Sequence, residues 1–327
     1  MIRPLTIDRT RYLLARVGRW EKTTAKGKTV DAHPPLDAVR DMLATPEPPL
    51  PVLSRIVETP VFAPDGQLAS EPGYHAAARV YVAPPDGLEV PPVSERPTTA
   101  EVERARELIC DELLEGFPFT GDAEKAHAVA LLLLPFARDM IDGHTPLHLI
   151  EKPSPGTGGT LLADALALPA TGRPLAATTE ARDEDEWRKR ITAKLLGSPA
   201  HVLIDNLRRP LDSAALSAAI TAPAWEDRIL GKSEMIRMPV RCCWVATGNN
   251  PSVSDEIARR TVRIRLDARE ERPQMRTGFR HADLRAWATR HAAISCGRRS
   301  PSRARGSRPG DRDGAVRCSE ASRTGRA

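Results

Sequence analysis

No apolar run in this 327-residue sequence is long enough to cross a bilayer. The longest, AVALLLLPF at 128–136, falls far short of the roughly 20 residues that a spanning helix needs. The N-terminus, MIRPLTIDRTRYLL, carries charges throughout and lacks the uninterrupted apolar segment and cleavage site of a secretory signal. No membrane partner is expected, and the cytoplasm is the expected compartment. The five cysteines, at 110, 242, 243, 296 and 318, contain no C-x-x-C pair and read as reduced core or filler residues, not as a metal site. His144, His148 and His201 fall in loop and strand segments and make no convincing zinc set. Residues 1–98 also lack an apolar run bearing D-x-D or E-x-D, which excludes the paired-acid metal chemistry of a primase or polymerase from that region.

What is present is a soluble composition, 41% hydrophobic and 28% charged, with sparse aromatics and 30 prolines that imply many loops. The formal net charge of +5 is misleading, because residues 296–327 hold nine Arg, no Lys and three acids. That segment carries +6 and leaves about −1 for residues 1–295. The basic pI therefore says little about a nucleic-acid surface on the folded part. The same segment has a single branched aliphatic residue, Val316, and no periodicity. It reads as an Arg-rich tail, either disordered or an aberrant, out-of-frame end.

Length allows two domains. Residues 1–98 read as a small mixed α+β domain: helical patterning at 8–17, a hairpin in WEKTTAKGKTV, a helix near 35–44, and short strands around APDG and ARVYVA. Residues 99–144 form a helical lead-in, capped at Thr98 or Thr99, whose second helix (about 122–141) carries Pro135 as a kink. From 145 to 295 the pattern is α/β. TPLHLI, HVLID and CCWVATGNN read as buried strands. TLLADALAL, DEDEWRKRITAKLL and SAALSAAIT read as helices, GKS as the tip of a hairpin, and DEIARRTVRIRLD as a helix running into a strand.

Chemistry concentrates at the ends of those strands. EKPSPGTGGT (151–160) partly fits G-x-x-x-x-G-K-[ST], the loop whose backbone amides cradle phosphates. Gly158 takes the second glycine, Thr160 the hydroxyl on the Mg²⁺ side, and Gly156 and Thr157 the turn between. Pro153 replaces the first glycine, and Gly159 stands in the lysine slot. Lys152 precedes the loop by several residues and is expected to face solvent. Asp205 ends a strand where an acid can hold Mg²⁺. Asn249 and Asn250 end the next strand, where an amide can sense a terminal phosphate or orient water. Arg259 and Arg260 follow, placed to act across a subunit boundary. Each signal has an ordinary structural reading as a turn, a cap or a solvated helix end, and only their order makes them a set.

That order resembles the AAA+-like, superfamily 3 helicase modules of phage and plasmid primase-helicases, over about 120–290 and best at 201–267. The resemblance implies a P-loop ATPase core that binds ATP and Mg²⁺, assembles as a homo-oligomeric ring, and threads single-stranded DNA with a replication or primase partner nearby. Carried over by position, Gly156, Gly158 and Thr160 match the phosphate loop and Asp205 the Walker B acid. Asn249 or Asn250 matches sensor 1, Arg259 or Arg260 the arginine finger, and Lys232 a DNA-contacting hairpin tip. The sequence departs at Gly159 and at Asn206, which stands where a water-polarising carboxylate is expected. An amide can orient water but cannot take its proton. Weak hydrolysis is expected. A non-catalytic scaffold that binds nucleic acid or partner subunits, and a decayed remnant, remain open alternatives.

Overall fold

The computed structural model describes residues 5–84, 94, 96–229, 231 and 234–297. The chain divides into two compact units, 1–53 and 54–327. The expected boundary near 98 is thus not where the contacts thin out.

In the first unit, helix α1 (Ile7–Val17) is capped by Thr6, whose hydroxyl accepts from the Arg9 amide. The hairpin β1 (Glu21–Thr23) and β2 (Thr29–Asp31) and helix α2 (Leu36–Ala44) follow. Val39 is its fully buried aliphatic residue.

The second unit opens with short strands. Strand β3 (Arg55–Val57) pairs with β7 (Val80–Val82), which also pairs with β6 (Gly73–His75). Between them β4 (Val61–Phe62) and β5 (Leu68–Ala69) form a tight hairpin at the APDG turn. These strands belong with the larger unit for physical reasons. Arg55 makes a buried 2.6 Å ion pair with Asp139, Thr59 donates to the Ala170 carbonyl, and Phe62 packs on Phe136 and Ala170.

The lead-in is helical. A capping box between Thr98 and Glu101 starts α3 (Thr99–Glu107), which widens into a π-helical turn at Leu108–Leu113. Helix α4 (Asp122–Ala137) contains Pro135 and buries Val129, Leu132 and Phe136. Cys110, in the π turn, is disulfide-bonded, against the reduced state expected for all five cysteines. A bond between remote positions leaves no spacing signature in a sequence.

The core of the unit is a wholly parallel sheet of five strands: β8 (Leu147–Lys152), β9 (Ala177–Thr178), β10 (His201–Leu207), β13 (Cys243–Asn249) and β14 (Thr261–Arg265). Their spatial order is β14-β8-β13-β10-β9. Helices α5 (Gly159–Thr171), α6 (Glu184–Leu195), α7 (Ala214–Thr221), α8 (Asp255–Ala258) and α9 (Leu284–Gly297) accompany it. The expected α/β class with a helical lead-in holds. Every residue of β8 is buried, as a central parallel strand requires. One face of the sheet packs Ile150, Leu203 and Val245 against α4 and α5, and the other packs Leu149, Ile204 and Trp244 with α6 and α7. Between β10 and β13 the antiparallel hairpin β11 (Ala224–Arg228) and β12 (Met235–Pro239) stands at the expected place. Lys232, at its tip, lies outside the described residues.

The chain leaves β8 towards β9 at one edge and leaves β13 towards β14 at the other. Neighbouring strands whose connections diverge open a crevice at their carboxyl ends, the usual ligand position in an open α/β sheet.

Candidate functional site

The quoted loop occupies that crevice. Gly156 and Gly158 adopt φ of +83° and +97°, conformations that residues with side chains rarely reach. Gly158 is also the N-cap of α5 and has no side chain to offer. The first-turn amides of a 13-residue helix are therefore left without a side-chain cap, and no acid in that turn offsets the dipole. Thr157 folds inward, its hydroxyl donating to the Ser154 carbonyl at 2.9 Å.

Beneath the helix N-terminus lies a cluster drawn from three elements. Thr160 Oγ1 on α5 donates to Asp205 Oδ1 on β10 at 3.0 Å. Thr247 Oγ1 on β13 donates to the same oxygen at 2.6 Å. A β-bulge creates this convergence: Ile204 faces Ala246 and Leu207 faces Gly248, so Asp205 and Asn206 together oppose Thr247. The bulged Asn206 has φ +60°, and its amide donates to Thr247 Oγ1 at 2.9 Å. Thr247, fully buried, thus ties the bulge to the acid. It is the site residue that sequence reasoning did not single out. A threonine inside an apolar strand carries no distinguishing signal until its bulged neighbour is known.

Asn249 and Asn250 do reach the loop's edge. Asn249 is paired in register with Lys152, and its Oδ1 is buried with no hydrogen-bond partner among the described residues. Asn250 has φ +40°, its amide donates to the Lys152 carbonyl at 2.8 Å, and its side-chain nitrogen lies 3.5 Å from the Pro153 carbonyl.

Lys152 corrects an expectation. It does not face solvent: it is 8% exposed and lies against Gly159. A Cβ built at Gly159 would stand 3.1 Å from Lys152 Nζ and 3.2 Å from its Cδ. Burial lowers the lysine's pKa, and the nearby Asp205 charge partly opposes that shift. Strand alternation sends the preceding residue, Glu151, to the other face. There Arg263 holds its carboxylate at 2.7 Å and Arg265 at 3.2 Å.

Arg259 and Arg260 are not brought to this cluster. They sit just before β14, and the Leu147 amide donates to the Arg260 carbonyl. They therefore mark the amino end of β8, a strand length of about 20 Å from the loop. Arg260 is tied to Glu256 through its backbone carbonyl, at 2.6 Å, and its carboxylate, at 3.6 Å. Arg259 is exposed and makes no ion pair among the described residues.

Beside the loop lies a cavity of about 380 Å³. Leu113, Phe117 and Leu161 form its apolar wall, and residues 273–284 its far side. Gln274 presses on Gly156, where a Cβ would meet its side chain at 3.0 Å. Arg276 stacks over Phe279 at 5.3 Å and donates to the Gly116 carbonyl, whereas Arg280 is paired with Glu112.

The arrangement can do three things chemically. Uncapped amides at a helix start accept an anion. Thr160 and Asp205 supply hard oxygens suited to Mg²⁺. A flat apolar group fits the neighbouring cavity, which is of ordinary ligand size. These residues fit a Mg²⁺–nucleotide.

No family model matches the chain, and no curated protein matches it. Solved structures give distant likenesses. The apo C-terminal region of NrS-1 is 14% identical with a TM-score of 0.43, over 88% of this chain and 67% of that one. JCV helicase bound to a thiazolopyridinyl-phenoxyphenyl acetamide is 14% identical with a TM-score of 0.34, over 62% of this chain and 53% of that one. A second JCV helicase structure gives 14% and 0.31, over 62% and 52%. The chain thus spans about two thirds of the NrS-1 region and about half of the JCV helicase chains. No helix among the described residues is long and apolar enough to cross a membrane. The functional reading of this chain rests on the geometry of its own site.

Proposed function

We propose that the chain binds MgATP at the carboxyl ends of β8, β10 and β13, as a helicase-like ATPase module with slow turnover. The observation that carries this reading is the convergence of Thr160, Asp205 and Thr247 beneath the uncapped N-terminus of α5. The loop amides around Gly156–Thr160 hold the phosphates, Thr160 and Asp205 hold Mg²⁺, and the cavity walled by Phe117 and Leu161 takes the base. Bound Mg²⁺ neutralises charge on the phosphate oxygens. Asn249 and Asn250 stand where an attacking water would be oriented. Arg259, remote from its own loop and unpaired, suits a neighbour's site in a ring. Single-stranded DNA passing the β11–β12 hairpin, and a replication or primase partner, complete this reading.

A binding module without turnover is the second reading, and Asn206 favours it. An amide follows Asp205 where a carboxylate would remove the proton of attacking water. The test is MgATP binding and hydrolysis by the purified chain, with and without single-stranded DNA, beside Asp205→Ala. DNA-stimulated turnover lost in the variant supports the ATPase. Mg²⁺-dependent binding without turnover supports the scaffold. No nucleotide binding by a folded chain overturns both.

A further inference from the structure

We infer that Lys152 supplies the phosphate-binding cation that the loop lacks, and that Gly159 is a glycine because the Lys152 side chain runs across it. This rests on the nucleotide reading above and adds to it the identity of the charge that holds the triphosphate.

The argument begins with cost. Lysine is among the residues least often buried without a partner. Yet Lys152 is more than nine-tenths buried, and no hydrogen bond or ion pair among the described residues holds its ammonium group. Asp205, the nearest acid to influence it, acts only at a distance, and its Oδ1 is already committed to Thr160 and Thr247. Glu151, one residue away, points through the opposite face of the sheet and is satisfied by Arg263 and Arg265. The stem of the side chain is packed away while its unpaired ammonium keeps contact with solvent, a position that a bound anion can complete.

The position of that cation is specific. Nζ lies about 3 Å from where the first side-chain atom of residue 159 would stand. Residue 159 is the lysine slot of the phosphate-loop pattern. The charge has therefore moved from the start of α5 to the end of β8, while the space it serves is the same. Any side chain at 159 would displace it, since Cδ and Cε also pass within 3.2 and 3.3 Å of that Cβ position. The paired substitutions explain each other: a glycine where lysine is expected, and a buried lysine seven positions earlier. With the α5 amides on one side and Asp205 beyond, the ammonium faces the site where phosphate oxygens would lie. The ligand class it selects is a polyphosphate, because a single cation beside a helix start gains most where several phosphate oxygens share it.

The test measures binding of a fluorescent N-methylanthraniloyl ATP, with Mg²⁺, to the full chain and three variants. Lys152→Met should weaken the ATP probe about tenfold or more, a loss of about 1.4 kcal/mol or greater. It should leave binding of the corresponding adenosine probe within about twofold of wild type. Lys152→Arg should fall between the two. Moving the charge back, as Lys152→Ala with Gly159→Lys, should restore ATP-probe affinity to within about threefold. A thermal unfolding transition for each variant separates lost charge from lost fold. If Lys152→Met binds the ATP probe as tightly as wild type, the inference is overturned and the nucleotide reading stands. It is equally overturned if Lys152→Met loses both probes alike, or if the relocated lysine restores nothing. If the wild-type chain binds neither probe at millimolar concentration, both fall together.

Discussion

Thr160 and Asp205, forty-five residues apart in sequence, meet in a 3.0 Å hydrogen bond that ties the first turn of α5 to the carboxyl end of β10. Because Thr247 donates to the same carboxylate oxygen, the plane of the Asp205 carboxylate is fixed. Asp205→Asn preserves shape and removes the charge. It is expected to weaken ATP-probe binding about tenfold in Mg²⁺ and hardly at all in EDTA. A titration of the probe in each buffer checks this, and an equal effect in both would remove Asp205 as a metal ligand.

Thr247→Val keeps volume and β-propensity but deletes the hydroxyl that donates to Asp205 and accepts from the Asn206 amide. It leaves a buried acceptor and a backbone donor short of partners. Chemical denaturation should report a loss of about 1–3 kcal/mol. Ser at this position should recover most of it.

Gly159→Ala is predicted to separate stability from binding. The residue begins α5 with ordinary helical backbone, so alanine should leave the unfolding temperature unchanged or slightly raised. Its methyl would press on Lys152 at 3.1 Å and shift the ammonium. ATP-probe affinity should therefore fall, by about threefold or more. Unchanged affinity would mean that the lysine position is not critical.

The two arginines before β14 should behave differently. Arg260→Ala removes the tie to Glu256 and should lower stability by about 0.5–1 kcal/mol, as partly exposed pairs do. Arg259→Ala should change neither stability nor ATP-probe binding by the isolated chain. It should abolish any DNA-stimulated turnover in mixtures where each site depends on a neighbour. Retained turnover would show that Arg259 serves no neighbouring site.

Acid sensitivity should arise from His148 and His201. Burial depresses both to about 4 from an ordinary value of 6.5, and neither His201 ring nitrogen has a hydrogen-bond partner. The folded state favours neutral rings, so the unfolded chain binds more protons between those values. Their stabilising contribution is complete above about pH 6.5 and is lost as pH falls through 4. Its size is on the order of 3 kcal/mol per ring, and the two rings are coupled, so they do not simply add. His201→Leu should flatten the dependence of unfolding temperature on pH between 7 and 5. An unchanged slope would place the acid sensitivity elsewhere.

Much of this architecture was legible in the chain. HVLID and CCWVATGNN are short apolar runs with polar ends, and they form β10 and β13 with those ends at the crevice. The glycine turn before TLLADALAL announced a helix start, which α5 supplies. The bulge at Asp205–Asn206 was not legible, because it depends on the register between two strands distant in sequence. The course of Lys152 was hidden for a related reason. Whether a strand-ending lysine turns inward depends on the space left by a residue on another element. Strand β9, two residues long at the sheet edge, is too short to show a period. The cavity wall at 273–284 has no regular pattern either, and its contribution follows from tertiary contacts with Gly116 and Glu112. The placement of residues 54–83 with the sheet unit rests on the pairing of Arg55 with Asp139, eighty-four residues away.

The loop itself has a mechanical asymmetry. Pro153 and Pro155 fix φ in its first half, so rotation there is restricted, whereas the second half turns at Gly156 and Gly158. Gly156 is the pivot nearest the cavity, and the side chain and amide of Gln274 fill the space where its Cβ would be. A residue with a side chain at 156 would have to push Gln274 aside, so close packing by residues 273–276 adds to the positive φ in reserving this turn for glycine.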